Sequence, residues 1–166
     1  MKRLIIMFAM LVPLVLAAQK SPVDKLFDKY ANQQGFTTVN ITGKLLGLAG
    51  KLDNSNPYTN DMLSNISGIR ILSVEDKELN SRLDFYHELE KEGFFRNNKY
   101  DILMEVTESN EVVKFYSMDA GDGKFSELLL VVGGKSNAII SIRGLIDPEN
   151  IGKITGALNV NIPAKQ

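Results

Sequence analysis

The chain has 166 residues, of which 44% are hydrophobic and 23% charged, and its formal net charge at pH 7 is −1. These proportions are typical of a globular domain and argue against a disordered, collagenous or coiled-coil chain. The 19 basic and 20 acidic residues show no positive excess, so we expect no nucleic-acid partner. The sequence contains no cysteine and one histidine, which excludes disulfides, cysteine nucleophiles and metal sites built from several histidines or thiolates.

The first 18 residues have the three parts of a secretory signal peptide. These are a positive start at Lys2 and Arg3, an apolar run over 4–16, and small residues for cleavage at Ala17 and Ala18. The alternative is an uncleaved membrane anchor, but a helix of that length is too short for about 30 Å of hydrocarbon. Without a cysteine at the cleavage site the chain is not a lipoprotein. We therefore expect residues 19–166 to be exported as one domain, periplasmic or extracellular, with no transmembrane segment.

Helices and strands alternate in the first half of this domain. Ser21 suits a helix N-cap, and Pro22 and Asp24 suit the first turn, so a helix is predicted over 22–34. The apolar spacing then predicts, in order, a strand over 36–42, a short helical piece over 43–52, a second short helix over 61–65, a strand over 68–74 and a longer helix over 76–92.

The second half is rich in strands. Four β-like runs are predicted over 100–107, 111–118, 125–132 and 138–143, and a last helix over 148–158. Because short breaks with glycine and asparagine separate these runs, they should form an antiparallel meander. The predicted class is α+β, with this C-terminal four-stranded meander and one or two N-terminal strands in an antiparallel sheet packed against helices.

Four segments resemble the exported bacterial family of unknown function DUF4252. They are GIRILSVED, YDILMEVTES, VVKFYSMDAGDGKFSELLLVVGG and IISIRGLIDPENIGKITGAL, which together reach from residue 68 to residue 158. The resemblance implies export and a single folded domain. The family has no established activity, so the resemblance supplies no catalytic residue.

Three local patterns suggest chemistry but have simpler interpretations. His87 is expected on a solvated helix face beside Asp84, without a nucleophile to activate. Residues 119–123 lack the ligand spacing of a calcium loop and are interpreted as a hairpin loop, with a weak cation site as the alternative. Residues 133–136 are interpreted as a turn, because Leu129 stands where a phosphate loop needs glycine. We therefore predict no catalytic residue, no metal ligand and no cofactor.

The predicted meander has one apolar face and one mixed face. One is the expected core face, with Ile102, Met104, Val106, Val113, Phe115, Leu128, Leu130, Ile140 and Ile142. The other mixes charged side chains with Leu103, Tyr116, Leu129, Val131 and Ile139. A half-solvated antiparallel sheet usually has a polar outer face, so this second set needs a cover. Either residues 43–52 provide it, or these five residues form an interaction face for a partner chain or ligand.

The sequence therefore favours a non-enzymatic exported module of the cell envelope that binds through a sheet face or edge. Its partner would be an unknown envelope protein, a small ligand or a second copy of the chain. The alternative is a small-ligand carrier, or a hydrolase whose site is assembled from scattered acids and hydroxyls and is not recognisable from sequence.

Overall fold

The computed structural model describes residues 20–52, 57–96 and 99–150. The predicted signal peptide, including Ala17 and Ala18, lies outside the described residues. The same holds for most of the helix predicted over 148–158, of which only a 3-10 turn at Pro148–Asn150 is described.

The helices and strands follow the predicted order. The helices are α1 (Pro22–Tyr30), α2 (Gly43–Leu52), α3 (Pro57–Ser64), α4 (Lys77–Arg82) and α5 (Phe85–Lys91), with a 3-10 turn at Phe94–Arg96. The strands are β1 (Phe36–Thr42), β2 (Ile66–Val74), β3 (Asp101–Glu108), β4 (Glu111–Gly121), β5 (Lys124–Gly134) and β6 (Ala138–Ile146). The bounds of β1 and α2 match the prediction at both ends.

All six strands form one antiparallel sheet in the order β1-β2-β6-β5-β4-β3. The predicted meander is confirmed as β3 to β6, and both N-terminal strands join it, with β2 placed beside β6. β1 and β3 are therefore the two edges of the sheet. None of the helices in the described residues has the length and apolar composition needed to cross a bilayer.

Helices cover the two faces of the sheet unequally. The front face packs against α1, α5 and the 3-10 turn at 94–96, and its core residues include Leu72, Leu129, Val131 and Ile139. The back face packs against α2 and α3, where Leu46 meets Ile66, Ile69, Leu128, Ile142 and Ile146. The larger core thus lies on the front face, and a smaller one lies at one end of the back face.

The first helix ends earlier than predicted. Ser21 caps it as expected, because its hydroxyl accepts a hydrogen bond of 3.0 Å from the Asp24 backbone N–H. After Tyr30 the backbone becomes left-handed at Asn32 (φ 64°) and Gly35 (φ 85°). These conformations turn the chain back into β1, so the helix predicted to Gln34 stops at Tyr30.

The long helix predicted over 76–92 is two helices, and Asn137 explains the break. Leu83 is extended, and the Asp84 carboxylate restarts the helix by accepting from the His87 N–H at 3.0 Å. The buried amide of Asn137 accepts from the Phe85 N–H at 2.8 Å and donates to the Leu83 carbonyl at 3.1 Å. It therefore satisfies the backbone groups that the break releases.

The restarted helix α5 lies directly against β5, and a glycine makes this approach feasible. A Cβ atom added at Gly133 would lie 2.9 Å from the Tyr86 backbone nitrogen and 2.8 Å from its Cβ atom. Because backbone atoms cannot move aside, any larger residue would push α5 away from the sheet.

We predict that Asn137→Ala lowers the free energy of unfolding by about 2–3 kcal/mol, since it leaves the buried Phe85 N–H without a partner. Urea denaturation followed by circular dichroism measures this loss. The exposed Asn110 serves as the control, and Asn110→Ala should change stability by less than about 0.5 kcal/mol. Equal effects of the two substitutions would contradict this account of the helix break.

Candidate functional site

The sequence-based interaction face is mostly inside the protein. Tyr116, Leu129, Val131 and Ile139 are at most 2% exposed and belong to the front-face core. The prediction that these four form an interaction face is wrong, because α1, α5 and the turn at 94–96 cover them. Leu103, on edge strand β3, is exposed.

The expectation that residues 43–52 cover this face also needs correction. Residues 43–52 form a helix as predicted, but α2 covers the back face and leaves the front face to other helices. Most residues expected to face the main core lie on the back face, where Leu128 and Ile142 are buried. Ile102 pairs instead with Tyr116 of the front face and is 53% exposed. Internal cover of the predicted interaction face is therefore correct, whereas the predicted covering element is wrong.

A buried carboxylate lies in the middle of the front face. Glu127 is 2% exposed and receives three donors. The Ser141 hydroxyl donates to Oε1 at 2.5 Å, and the Arg143 Nε lies 3.2 Å from the same oxygen. The Tyr100 hydroxyl donates to Oε2 at 2.7 Å. Both carboxylate oxygens are thus used by the protein itself.

The same ion network attaches α1 to the sheet. Arg143 contacts Asp24 of α1 at 3.1 Å, and Arg70 of β2 contacts the same oxygen of Asp24. Arg70 also lies over the Phe27 ring, 4.3 Å from its centroid. These charges connect α1 to β2, β5 and β6 across the front face.

Two charged groups of the network have shifted pKa values. Partial burial works to raise the pKa of Asp24, but the hydrogen bonds from Ser21 and Arg70 and the charges of both arginines outweigh it and lower the pKa. Burial also works to lower the pKa of Arg143, and the neighbouring carboxylates of Glu127 and Asp24 reverse this and raise it. Both groups are therefore held in their charged forms.

The chemistry available to this cluster is structural. Burial, together with the adjacent Glu127 carboxylate, raises the pKa of Tyr100, which keeps its hydroxyl neutral and able to donate. A general acid or base must exchange a proton with a substrate, and Glu127 is enclosed by donors of the protein instead. We interpret the cluster as the set of polar contacts that holds α1 against the sheet.

The remaining sequence candidates lie on the surface. His87 is exposed, as predicted, with its Nδ1 atom 2.9 Å from the Asp84 carboxylate. Of the predicted hairpin loop over 119–123, residues 119–121 are the end of β4 and only residues 122 and 123 form the turn into β5. Residues 133–136 end β5 and turn into β6. Within 20–52, 57–96 and 99–150, no three histidine, aspartate or glutamate side chains come together as a metal site.

A surface groove of about 570 Å³ lies beside α4 and the turn before β6. Three cationic residues line it: Lys77, Arg82 and Lys135. Arg82 faces Glu78 across 3.7 Å on the same helix, and Asp84 at the groove caps α5 and contacts His87. The polar groups of Arg82 and Asp84 are thus engaged within the protein.

The remaining candidate is the β1 edge, which sequence reasoning did not single out. Residues 37–40 are exposed, and no described strand pairs with the outer side of β1. The next element, α2, buries Leu46 but leaves Leu45, Leu48 and Leu52 exposed by 52–82%. We call the outer side of β1 together with these three leucines the open-edge surface. Two features of the sequence could have indicated this surface. They are the spacing of the leucines along one helix face and the absence of charged residues from the strand.

The lowered pKa of Asp24 predicts a pH dependence of stability. The contribution of Asp24 is complete above the unfolded-state value of 3.8 and is lost as the pH falls below it, through the depressed folded-state pKa. Asp24→Asn should cost about 1–2 kcal/mol at neutral pH, discounted for partial exposure, and should flatten the loss between pH 4 and about pH 2. Urea titrations across this range measure it. The control is Asp28→Asn, at an exposed site. If the free energy of unfolding of Asp24→Asn falls as steeply at low pH as that of the control, the prediction is contradicted.

Comparison with known proteins identifies a family and nothing more specific. No curated protein and no solved structure matches the chain. A family model described as a domain of unknown function (DUF4252) matches residues 30–154, which reach from the end of α1 past the last described strand. The resemblance drawn from the four sequence segments is confirmed, and the chain belongs to the DUF4252 family.

Proposed function

We propose that this protein is an exported, non-enzymatic interaction module that binds another protein chain through the open-edge surface. The observation that carries the proposal is the difference between the two edges of the sheet. Among the described residues, β1 has neither the charged side chains nor the bulge by which natural sheets prevent strand addition at an edge, whereas β3 has both.

The β1 edge is regular and uncharged. Its seven residues, FTTVNIT, include no charged residue, no proline and no glycine, and they pair with β2 over seven consecutive positions without a bulge. A free strand edge presents unpaired N–H and C=O groups, which serve as a template for another strand. This edge therefore supports binding by β-strand addition.

The opposite edge is protected against such pairing. β3 carries acidic side chains at Asp101, Glu105 and Glu108, and a bulge interrupts its pairing with β4 between Ile102 and Met104. Charges and bulges are the usual means of preventing edge-to-edge association. Because β3 is protected and β1 is not, the contrast supports a specific role for the β1 edge.

The helix that follows β1 exposes three leucines. α2 begins directly after β1 and packs against β1 and β2. Leu45, Leu48 and Leu52 follow the spacing of one helix face, and each is more than half exposed. Exposed apolar side chains that cluster in this way are typical of protein interaction sites.

The internal polar groups support binding over catalysis. The buried acid Glu127 is held by Ser141, Tyr100 and Arg143, and Asp24 by two arginines. A hydrolase that used these acids would need one of the carboxylates free to exchange a proton, and a carrier of an apolar ligand would need an apolar cavity. The groove beside α4 is instead lined by three cationic residues.

Site-specific photo-cross-linking in cells that express the gene with its leader tests the proposal. A photoreactive amino acid replaces Thr38 on β1 or, as the matched control, Thr107 on β3, both of which are exposed on edge strands. Adducts to protein should form at least fivefold more from position 38 than from position 107. Equal yields from the two positions, or none from position 38, would refute binding through the β1 edge.

The leucines permit a second test with a clear control. Leu48→Ser should change stability by less than about 0.5 kcal/mol, because the side chain is exposed, yet it should reduce the adducts from position 38 several-fold. Leu46→Ser, two residues away, removes a buried side chain and should cost about 2–5 kcal/mol. Thermal unfolding and adduct yield are measured on the same variants. Unchanged adducts in a stable Leu48→Ser protein would exclude the leucines from the interface.

A further inference from the structure

We propose that the occupant of the β1 edge is a second copy of the same chain, paired antiparallel with Val39 at the two-fold axis. This inference rests on the proposed function, because it uses the same edge, and it names the partner. The two sheets would join into one continuous sheet of twelve strands, built from the six strands of each copy.

The sequence of β1 is complementary to itself in that register. Antiparallel pairing centred on Val39 brings Val39 opposite its own copy, Thr37 opposite Ile41, and Thr38 opposite Asn40. Opposed residues in an antiparallel pair share a sheet face. Val39, Thr37 and Ile41 therefore meet on the back face, and the polar pair of Thr38 and Asn40 meets on the front face.

Charge presents no obstacle to self-association at this edge. Any charged residue near the two-fold axis would face a like charge from its own copy, which is destabilising in a cross-strand pair. Residues 36–42 contain none. Self-pairing of β3 would instead bring three acidic side chains from each copy to the same boundary.

The edge is also held in the conformation that pairing needs. Phe36 stacks on Tyr30 of α1 with ring centroids 4.5 Å apart, and Ile41 packs against the core beneath α2. The strand is thus anchored near both ends and on both faces, so little ordering is left to be done on association. A two-fold interface also uses each patch twice, so both copies contribute the exposed leucines of α2.

Because the chain has no cysteine, a single introduced cysteine reports on the two-fold axis directly. In the proposed register the two Val39 Cβ atoms lie about 4.5–5.5 Å apart, close to the separation in a disulfide. The two Thr37 residues would be four positions out of register, about 14 Å apart, which no disulfide can span.

The experiment compares three single-cysteine variants, Val39→Cys, Thr37→Cys and Leu103→Cys. Each is expressed from the full-length gene, purified in the form that the cell produces, and then oxidised. The disulfide-linked dimer should form at least tenfold faster from Val39→Cys than from either control. The wild-type protein should sediment at twice the mass of one chain, and Val39→Lys at the mass of one chain with the circular-dichroism spectrum of the folded protein. Because association stabilises the folded state, the melting temperature of the wild type should rise with protein concentration and that of Val39→Lys should not.

Other outcomes would overturn the inference. A wild-type protein that sediments as a monomer at every concentration excludes the dimer, and equally fast cross-linking of Thr37→Cys excludes the register. If the wild type is monomeric but position 38 still forms adducts to a different protein, self-pairing fails and the proposed function stands. If position 38 forms no adduct and no dimer is present, both fail.

Discussion

The burial of one carboxylate in the front face of the sheet constrains how the rest of the protein is arranged. An ionised acid inside a protein is costly unless cations and hydrogen-bond donors surround it. Glu127 obtains its cation from Arg143, its partner in the register between β5 and β6. Arg143 in turn contacts Asp24, which fixes α1 across the sheet. The positions of Phe27 and Tyr30 in the front-face core follow from that attachment.

The sequence predicted the elements of the sheet well and its two faces poorly. Period-two alternation and glycine-containing turns mark strands locally, so β3 to β6 were predicted within a few residues of their true ends. The same alternation of apolar and polar residues predicted that the more uniformly apolar face of the sheet is the core face. In the structure the front face carries Glu127, Ser141 and Arg143 and is still the better-covered face, because these groups satisfy one another. The ion pair between Asp24 and Arg143 joins residues that are far apart in the sequence, so no local pattern indicates it.

The break between α4 and α5 shows the same limit in another form. The stripe of Leu79, Leu83, Tyr86 and Leu89 fits one continuous helix, and local periodicity favours that interpretation. The competing signal was Asp84, a good N-cap residue in the middle of the stripe. What decides the outcome is the amide of Asn137, more than fifty residues away, which bonds to the carbonyl before the break and to the N–H after it.

The candidate site was missed in the sequence because an edge strand is defined by what does not pair with it. The sequence FTTVNIT predicts a strand equally well at the centre of a sheet or at its edge, and only the strand order shows that β1 is terminal. Once this is known, the composition becomes informative. An uncharged, bulge-free strand in the interior needs no explanation, whereas the same strand at an edge is a liability that the opposite edge of this sheet avoids. The fold itself anchors β1 through Phe36 on the front face and Ile41 on the back face, and the strand pairs regularly with β2. A strand anchored in this way loses little conformational entropy when another strand is added, and for that reason our proposal assigns binding to the β1 edge.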